Sequence, residues 1–196
     1  MSDTVIKYHG SITKGSIEAD AVHNLIILCD DEFKPRLSVR SSTSEPLSKQ
    51  EQIRDINIGI PSADIEPYFN IVLQQKNIMA IVNGAIVAFM SFKHDFDKPH
   101  CFPAVGVGTV NYITTICVHP DVRRRGIATQ LYDYIENSLP SDVGANCVAT
   151  RTWNTNMKHI DLLKKRGYKL SYTIREDRKD EDGTMLDSVY YCKCMV

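Results

Sequence analysis

The sequence predicts an α+β chain of mixed α/β character, built on a central, mostly antiparallel sheet flanked by helices. Three observations carry that expectation. Asn83-Gly84 lies between the apolar runs IMAIV and AIVAFMSF, the composition of a type I′ hairpin. The β-branched run from Ile113 to Val118 is followed by a turn and then by a segment of helical period. Two further strand-like stretches flank the charged run REDRKDEDG near the C-terminal end. Hairpins around one strand–turn–helix unit require antiparallel pairing and a crossover in the same sheet.

Taken in order, Val5 to Tyr8 reads as a short strand. Residues from Ile17 to about Phe33 repeat apolar side chains at helical spacing, with Ala21, Leu25, Leu28 and Cys29 on one face. Residues 35–50 are polar and contain Pro35 and Pro46, so they read as an exposed flap. A second helix is expected from Ala63 to Gln75, then the hairpin within Asn77 to Lys93. Pro99 and Pro103 mark residues 95–106 as a loop. A strand over Thr109–Val118, a helix over Ile127–Leu139, a strand over Asn146–Thr152 and a helix over Met157–Arg166 follow. Gly167 sits where a helix C-terminus needs a left-handed residue. Tyr168–Arg175 and Met185–Cys194 are expected to pair as the final hairpin. No repeat is evident, and 196 residues suit one domain. Residues 1–76 form its helical N-terminal region and residues 77–196 its core and last hairpin.

Composition narrows the function classes. A hydrophobic content of 43% and a charged content of 24% are ordinary for a globular chain. The formal charge of −1 gives no electrostatic basis for a nucleic-acid partner. No apolar stretch approaches the roughly 18 residues of a membrane span, and MSDTVIKYHG lacks the apolar centre of an export signal. A cytoplasmic chain is therefore expected. Its six cysteines, Cys29, Cys101, Cys117, Cys147, Cys192 and Cys194, are then expected as reduced, buried thiols. Strand alternation puts Cys192 and Cys194 on one face, and no second pair completes a zinc site, so no metal is expected.

The segment ITTICVHPDVRRRGIATQLYDYIENSL carries the chemistry. A buried strand ends at Val118, Pro120 stops the ladder, and Arg123, Arg124 and Arg125 precede Gly126 and a helix. The first amides of a helix lack intrahelical partners and point outward at its positive end. Glycine lets an oxygen approach the backbone, and the arginines add forked, charged donors. The pattern suits a phosphate or pyrophosphate. A P-loop is excluded because no Lys-Ser or Lys-Thr follows Gly126, and a dinucleotide fingerprint because this turn holds one glycine. Gly106-Val107-Gly108 precedes a strand and is a weak signal. A basic turn that merely caps a helix is the bland alternative.

Val118-x-Pro120 followed by Arg123-x-x-Gly126-x-Ala128 resembles the coenzyme A pyrophosphate loop of the GNAT acetyltransferase superfamily. A second segment, NMKHIDLLKKRGY, is similar to that superfamily's other cleft element, with Asn156, Gly167 and Tyr168 at the matching spacing. Together the match covers most of residues 77–168. The resemblance implies acetyl-CoA as co-substrate, transfer to a primary amine of a small molecule or protein, and a splay between the fourth and fifth strands for the pantetheine arm. It implies cofactor contacts from Ile116, Cys117, Val118, Arg123, Arg124, Arg125, Gly126, Ile127, Ala128, Thr129 and Asn156. The backbone N–H of Val118 would meet the thioester oxygen. Asn156 also suits an N-cap.

One departure concerns acid catalysis. Many members place a tyrosine, thought to protonate the leaving thiolate, where this chain has Leu163. Either no dedicated acid is needed, since a thiol of pKa ~8.5 leaves tolerably as thiolate, or the chain binds acyl-CoA with little or no turnover. The glutamate of the histone-type branch is replaced by Tyr112, which would act through water if it acts as a base. Packing is its other role. His94, His100, His119 and His159 are bases by chemistry alone, and each also suits a structural role. Trp153 and Asn154, at the end of the fifth strand, are candidates to line the cleft, with a place in the core as the commoner outcome for a tryptophan. The last hairpin, rich in Val, Tyr and Cys, offers an edge for a homodimer.

Overall fold

In the computed structural model, residues 3–34, 36–39, 65–97, 102, 108–180 and 182–195 are described. Seven strands, β1 (Thr4–Gly10), β2 (Lys76–Val82), β3 (Ala85–Lys93), β4 (Val110–Val118), β5 (Cys147–Trp153), β6 (Lys169–Lys179) and β7 (Met185–Cys194), form one sheet. Their order is β1-β2-β3-β4-β5-β7-β6, antiparallel throughout except for the β4–β5 pair. The helices are α1 (Ile17–Cys29), α2 (Glu66–Gln74), α3 (Ile127–Asn137) and α4 (Met157–Lys165). None is long and apolar enough to cross a membrane.

Local chemistry sets the element ends. Ser16 caps α1 by accepting from the Ala19 amide at 3.2 Å, and Pro67 opens α2. Asn83 and Gly84 both adopt positive φ, as the β2–β3 turn demands. Gly167, at φ +85°, closes α4, and the Tyr168 amide returns to the Leu163 carbonyl at 3.0 Å.

Two faces of the sheet are covered. On one, α3 and α4 bury Leu131, Tyr132, Ile135, Ile160 and Leu163 against Ile78, Met90, Phe92 and Val148. On the other, α1 and α2 bury Val22, Leu25, Ile26, Tyr68 and Phe69 against Met79, Phe89 and Cys117. A third cluster, including Phe102, Val110, Ala149 and Tyr190, continues that second face beneath the last hairpin.

Several expectations are corrected. The first helix stops at Cys29 and continues as a short 3₁₀ turn over Asp30–Glu32. Its buried face is Ala19, Val22, Leu25, Ile26 and Cys29, whereas Leu28 is exposed. Apolar side chains stand on more than one face of this helix, with Ile17, Ile27 and Leu28 exposed, so its orientation is left to tertiary packing. The charged run REDRKDEDG is only partly a loop: β6 runs to Lys179 because irregular pairing between Ile174 and Arg178 absorbs the charged residues at the sheet edge. Cys147 and Cys194 are not reduced thiols but a disulfide, since they are direct partners across β5 and β7. Most of the 35–50 flap, together with Cys101, His100, Pro103 and Gly106, lies outside the described residues.

Candidate functional site

The β4–β5 ladder runs from Val110↔Cys147 to Ile113↔Thr150 and stops there, although both strands continue. The cause is visible on the opposite edge of β4. Between Ser91↔Thr115 and Phe92↔Ile113 the register slips, leaving Thr114 as an extra residue. Such a bulge bends its strand and sharpens its twist. Thr114 is held there by its hydroxyl, whose single proton is shared between Gln75 Oε1 at 2.5 Å and the Ser91 carbonyl at 3.1 Å. Past the bulge, β4 leaves β5 and a wedge opens between them.

Backbone alternation decides what lines that wedge. The His119 amide donates to the Val87 carbonyl on β3 at 2.8 Å, and Cys117 pairs with Phe89 in the same direction. Ile116 and Val118 therefore turn their backbone groups to the open edge, while Cys117 turns its own to β3. Of the three strand residues expected to meet a cofactor through backbone, two face the wedge. The side chain of Cys117 is buried on the α1 and α2 face.

Just beyond Val118, the side chain of His119 accepts from the Asp121 amide at 3.3 Å and starts a 3₁₀ turn over Pro120–Val122. Arg124 at φ +62° and Gly126 at φ +79° then bend the chain into the start of α3. Alternating left- and right-handed residues gather amides into a concave, anion-binding nest. The first α-helical bond runs from the Gln130 amide to the Gly126 carbonyl at 3.0 Å. The amides of Ile127, Ala128 and Thr129 are thus the unpaired first-turn donors of α3. Gly126 is required by its backbone conformation, because a Cβ there would meet nothing within 4 Å.

The three arginines divide their work. Arg123 is turned inward, donating from Nε to the Val118 carbonyl at 2.9 Å and pairing with Glu32. It ties the loop to the end of β4 and to the 3₁₀ turn that follows α1, and Glu32 there matches its charge. Arg124 and Arg125 are exposed beside Gly126. Cys29 lies under this anchor, with its sulfur 3.6 Å from Arg123 Nη2 and 3.8 Å from the Val118 carbonyl oxygen. A hydrogen bond from Cys117 favours the Cys29 thiolate against the opposing effect of burial. With Arg123 adding to it, the thiol is brought down to about 7. Sequence reasoning missed Glu32 and Cys29 because they lie some ninety positions before their partner.

The second cleft element differs in detail from its expected roles. Asn156 occupies the N-cap position just before α4, but its side chain makes no capping bond; its side-chain Nδ2 donates instead to Thr152 Oγ1 at 3.0 Å. Leu163 is fully buried in the core, so nothing at that position reaches the wedge. Tyr168 donates to Glu136 Oε1 at 3.2 Å and packs edge-on against Tyr132. His159 accepts or donates at 2.8 Å to the Tyr132 hydroxyl, and burial holds it down at about 4. His94 is bonded to the buried Asn111 at 2.8 Å. Trp153 meets Phe33 edge-on, while Asn154 pairs with Asp187 across the last strands. Tyr112, half-buried on the α1 and α2 face, stacks on Phe96 with ring centroids 4.2 Å apart.

The loop, the wedge and the sheet order define one class of protein. Residues 44–168 match the family model described as "Acetyltransferase (GNAT) family", and the chain belongs to that family. Its fold recurs in solved structures of low sequence identity. An N-acetyltransferase from Staphylococcus aureus Mu50 is 17% identical, with a TM-score of 0.60 and coverage of 98% of this chain and 99% of that one. NAA60 of Arabidopsis thaliana, in complex with a bisubstrate analogue, is 16% identical, with a TM-score of 0.59 and coverage of 97% and 98%. The ribosomal-protein-S18-alanine N-acetyltransferase of Escherichia coli is 14% identical, with a TM-score of 0.57 and coverage of 98% and 96%. No curated protein sequence matches the chain.

Proposed function

We propose that the chain moves an acetyl group from acetyl-CoA to a primary amine of a small molecule or protein, by direct attack in a ternary complex. The observation that carries this reading is the junction of two features: backbone donors of Ile116 and Val118 facing an open wedge, and a nest of amides at Gly126 immediately beyond it. The diphosphate would sit on the Gly126–Thr129 amides, with Arg124 and Arg125 closing over it. The pantetheine amides would pair with Ile116 and Val118 as an added strand does. Asn156, beside the opposite wall of the wedge, would add one bond to the cofactor.

In the reaction, the amine nitrogen bonds to the thioester carbon, the C–S bond breaks, CoA leaves as thiolate and the nitrogen loses a proton to water. The Val118 N–H stabilises the oxyanion of the intermediate. Holding both reactants in the wedge supplies the main rate term. Tyr112 is our candidate for relaying the released proton through water. With Leu163 buried, departure of CoA relies on the stability of its thiolate. Loss of a dedicated acid forfeits a factor of ~10² to 10⁴ in other enzymes, so slow turnover is the natural consequence. Leu163 also favours a second reading, an acyl-CoA-binding regulatory module.

Calorimetry with acetyl-CoA, followed by thiol release over a panel of amines, tests both. Saturable binding that Gly126→Glu weakens at least about tenfold is expected, because a carboxylate and a Cβ would then enter the anion site. Unchanged binding by that variant would remove the cofactor reading. Binding without CoA production across the panel would leave the regulatory module.

A further inference from the structure

One charged side chain beside the wedge is poorly satisfied by its neighbours among the described residues. Arg151 lies on β5 immediately after Thr150, the last residue paired with β4, and so stands where the wedge opens. Alternation along β5 places it on the same face as Cys147, Ala149 and Trp153, the face of Tyr112 and of α1 and α2. It is half-buried in an otherwise uncharged strand. A guanidinium carries five N–H donors and strongly disfavours a dry, unpaired position. Among the described residues, Arg151 makes one hydrogen bond, a long one of 3.4 Å from Nη1 to the Tyr190 hydroxyl, and its carbon lies 5.8 Å from that ring's centroid.

No carboxylate forms an ion pair with it among the described residues. The nearest acidic influence, Asp177, is committed elsewhere: it accepts from Ser188 Oγ at 2.5 Å and lies 3.5 Å from Arg178 Nε. Burial works against the charge on Arg151, and the neighbouring Tyr112 and Tyr190, then Asp177, work for it, with the balance in favour of the cation. The result is a permanent positive charge at the rim of the wedge, walled by aromatic rings, with most of its donors uncommitted among the described residues.

We propose that Arg151 binds the carboxylate of the acceptor, and that the acceptor is therefore a small amine that also bears a carboxylate. This deepens the acetyltransfer reading and rests on it. One planar guanidinium matches the two oxygens of a carboxylate, whereas a phosphate is usually met by several cations. Holding the acid group at Arg151 leaves the amino group free to reach toward the thioester between β4 and β5.

The test pairs each α-amino acid with its carboxamide and with its decarboxylated amine, and adds phosphoethanolamine as the phosphate-bearing probe. Acetyl-CoA affinity is measured separately by calorimetry. The acids are expected to exceed their amides in kcat/KM by about tenfold or more, as a charge-assisted bidentate contact warrants. Arg151→Gln should abolish that preference through KM, and Arg151→Lys should restore part of it, with acetyl-CoA affinity unaltered in both. Equal use of acids and amides, preference for phosphoethanolamine, or no turnover of any acid by a protein that binds acetyl-CoA would each overturn the proposal. Failure to bind acetyl-CoA at all would instead strike the reading beneath it.

Discussion

His159 shows how one buried side chain couples this structure to pH. Its ring is bonded to the Tyr132 hydroxyl between α3 and α4, and burial keeps it neutral until about pH 4 instead of 6.5. Between those values the unfolded chain binds a proton that the folded chain refuses. Stability is therefore complete above about pH 6.5 and declines as the pH falls toward 4, by up to about 3 kcal/mol from this one group. Urea titrations across that range should show a shallower acid limb for His159→Gln, which keeps a partner for Tyr132. Superimposable limbs for parent and variant would refute the assignment. Arginines give the complementary lesson. The run Arg123-Arg124-Arg125 reads as three equivalent cations, yet Arg123 is spent on Glu32 and the Val118 carbonyl. Those bonds tie the loop to its surroundings, and no local pattern distinguishes Arg123 from its neighbours.

At the level of elements, the join between α3, α4 and β7 depends on a buried carboxylate. Glu136, whose side chain is 2% exposed, meets Arg166 Nε at 2.9 Å and Lys193 Nζ at 2.5 Å. It also accepts from the Tyr168 hydroxyl. Removing one member of such a group strands the others in a poorly solvated site. Glu136→Ala should therefore cost about 3–5 kcal/mol in denaturant unfolding. Asp133 also pairs with Arg166, at 2.6 Å, but is exposed, and Asp133→Ala should cost no more than about 1 kcal/mol. Similar small losses for both would show that packing alone joins these elements. The Gly167-Tyr168 signature was legible in the sequence as a helix end. Its tie to Glu136 was not, because the partner stands 32 positions away on another helix.

For the whole molecule, the Cys147–Cys194 disulfide links the start of β5 to the end of β7 and closes a loop of sequence separation 47. A covalent closure of that length restricts the unfolded chain by about 3–4 kcal/mol. Without reductant, Cys194→Ser should unfold at lower urea than the parent; with reductant the two should coincide. A parent protein indifferent to reductant would contradict the bond. Cysteine spacing did not reveal the pairing, since it arises from strand order: β7 inserts between β5 and β6 instead of following β6 outward. Arg151 is a similar case. Nothing in the sequence singled it out, because one arginine in the run Cys147–Trp153 carries no local signal; its sparse hydrogen bonding among the described residues and its position at the wedge emerged only in the assembled sheet.

By itself the sequence determined the elements whose signals are local: the Asn83-Gly84 hairpin, the strand–loop–helix unit around Gly126, the helix end at Gly167 and the GNAT family. Period, turn chemistry and backbone freedom act over a few residues and are written there. Only the tertiary structure decided which face of α1 is buried, which arginine is turned inward, which cysteines meet and what stands beside Tyr112. Those outcomes depend on which strands become neighbours, and neighbours are chosen by burying the whole apolar surface at once.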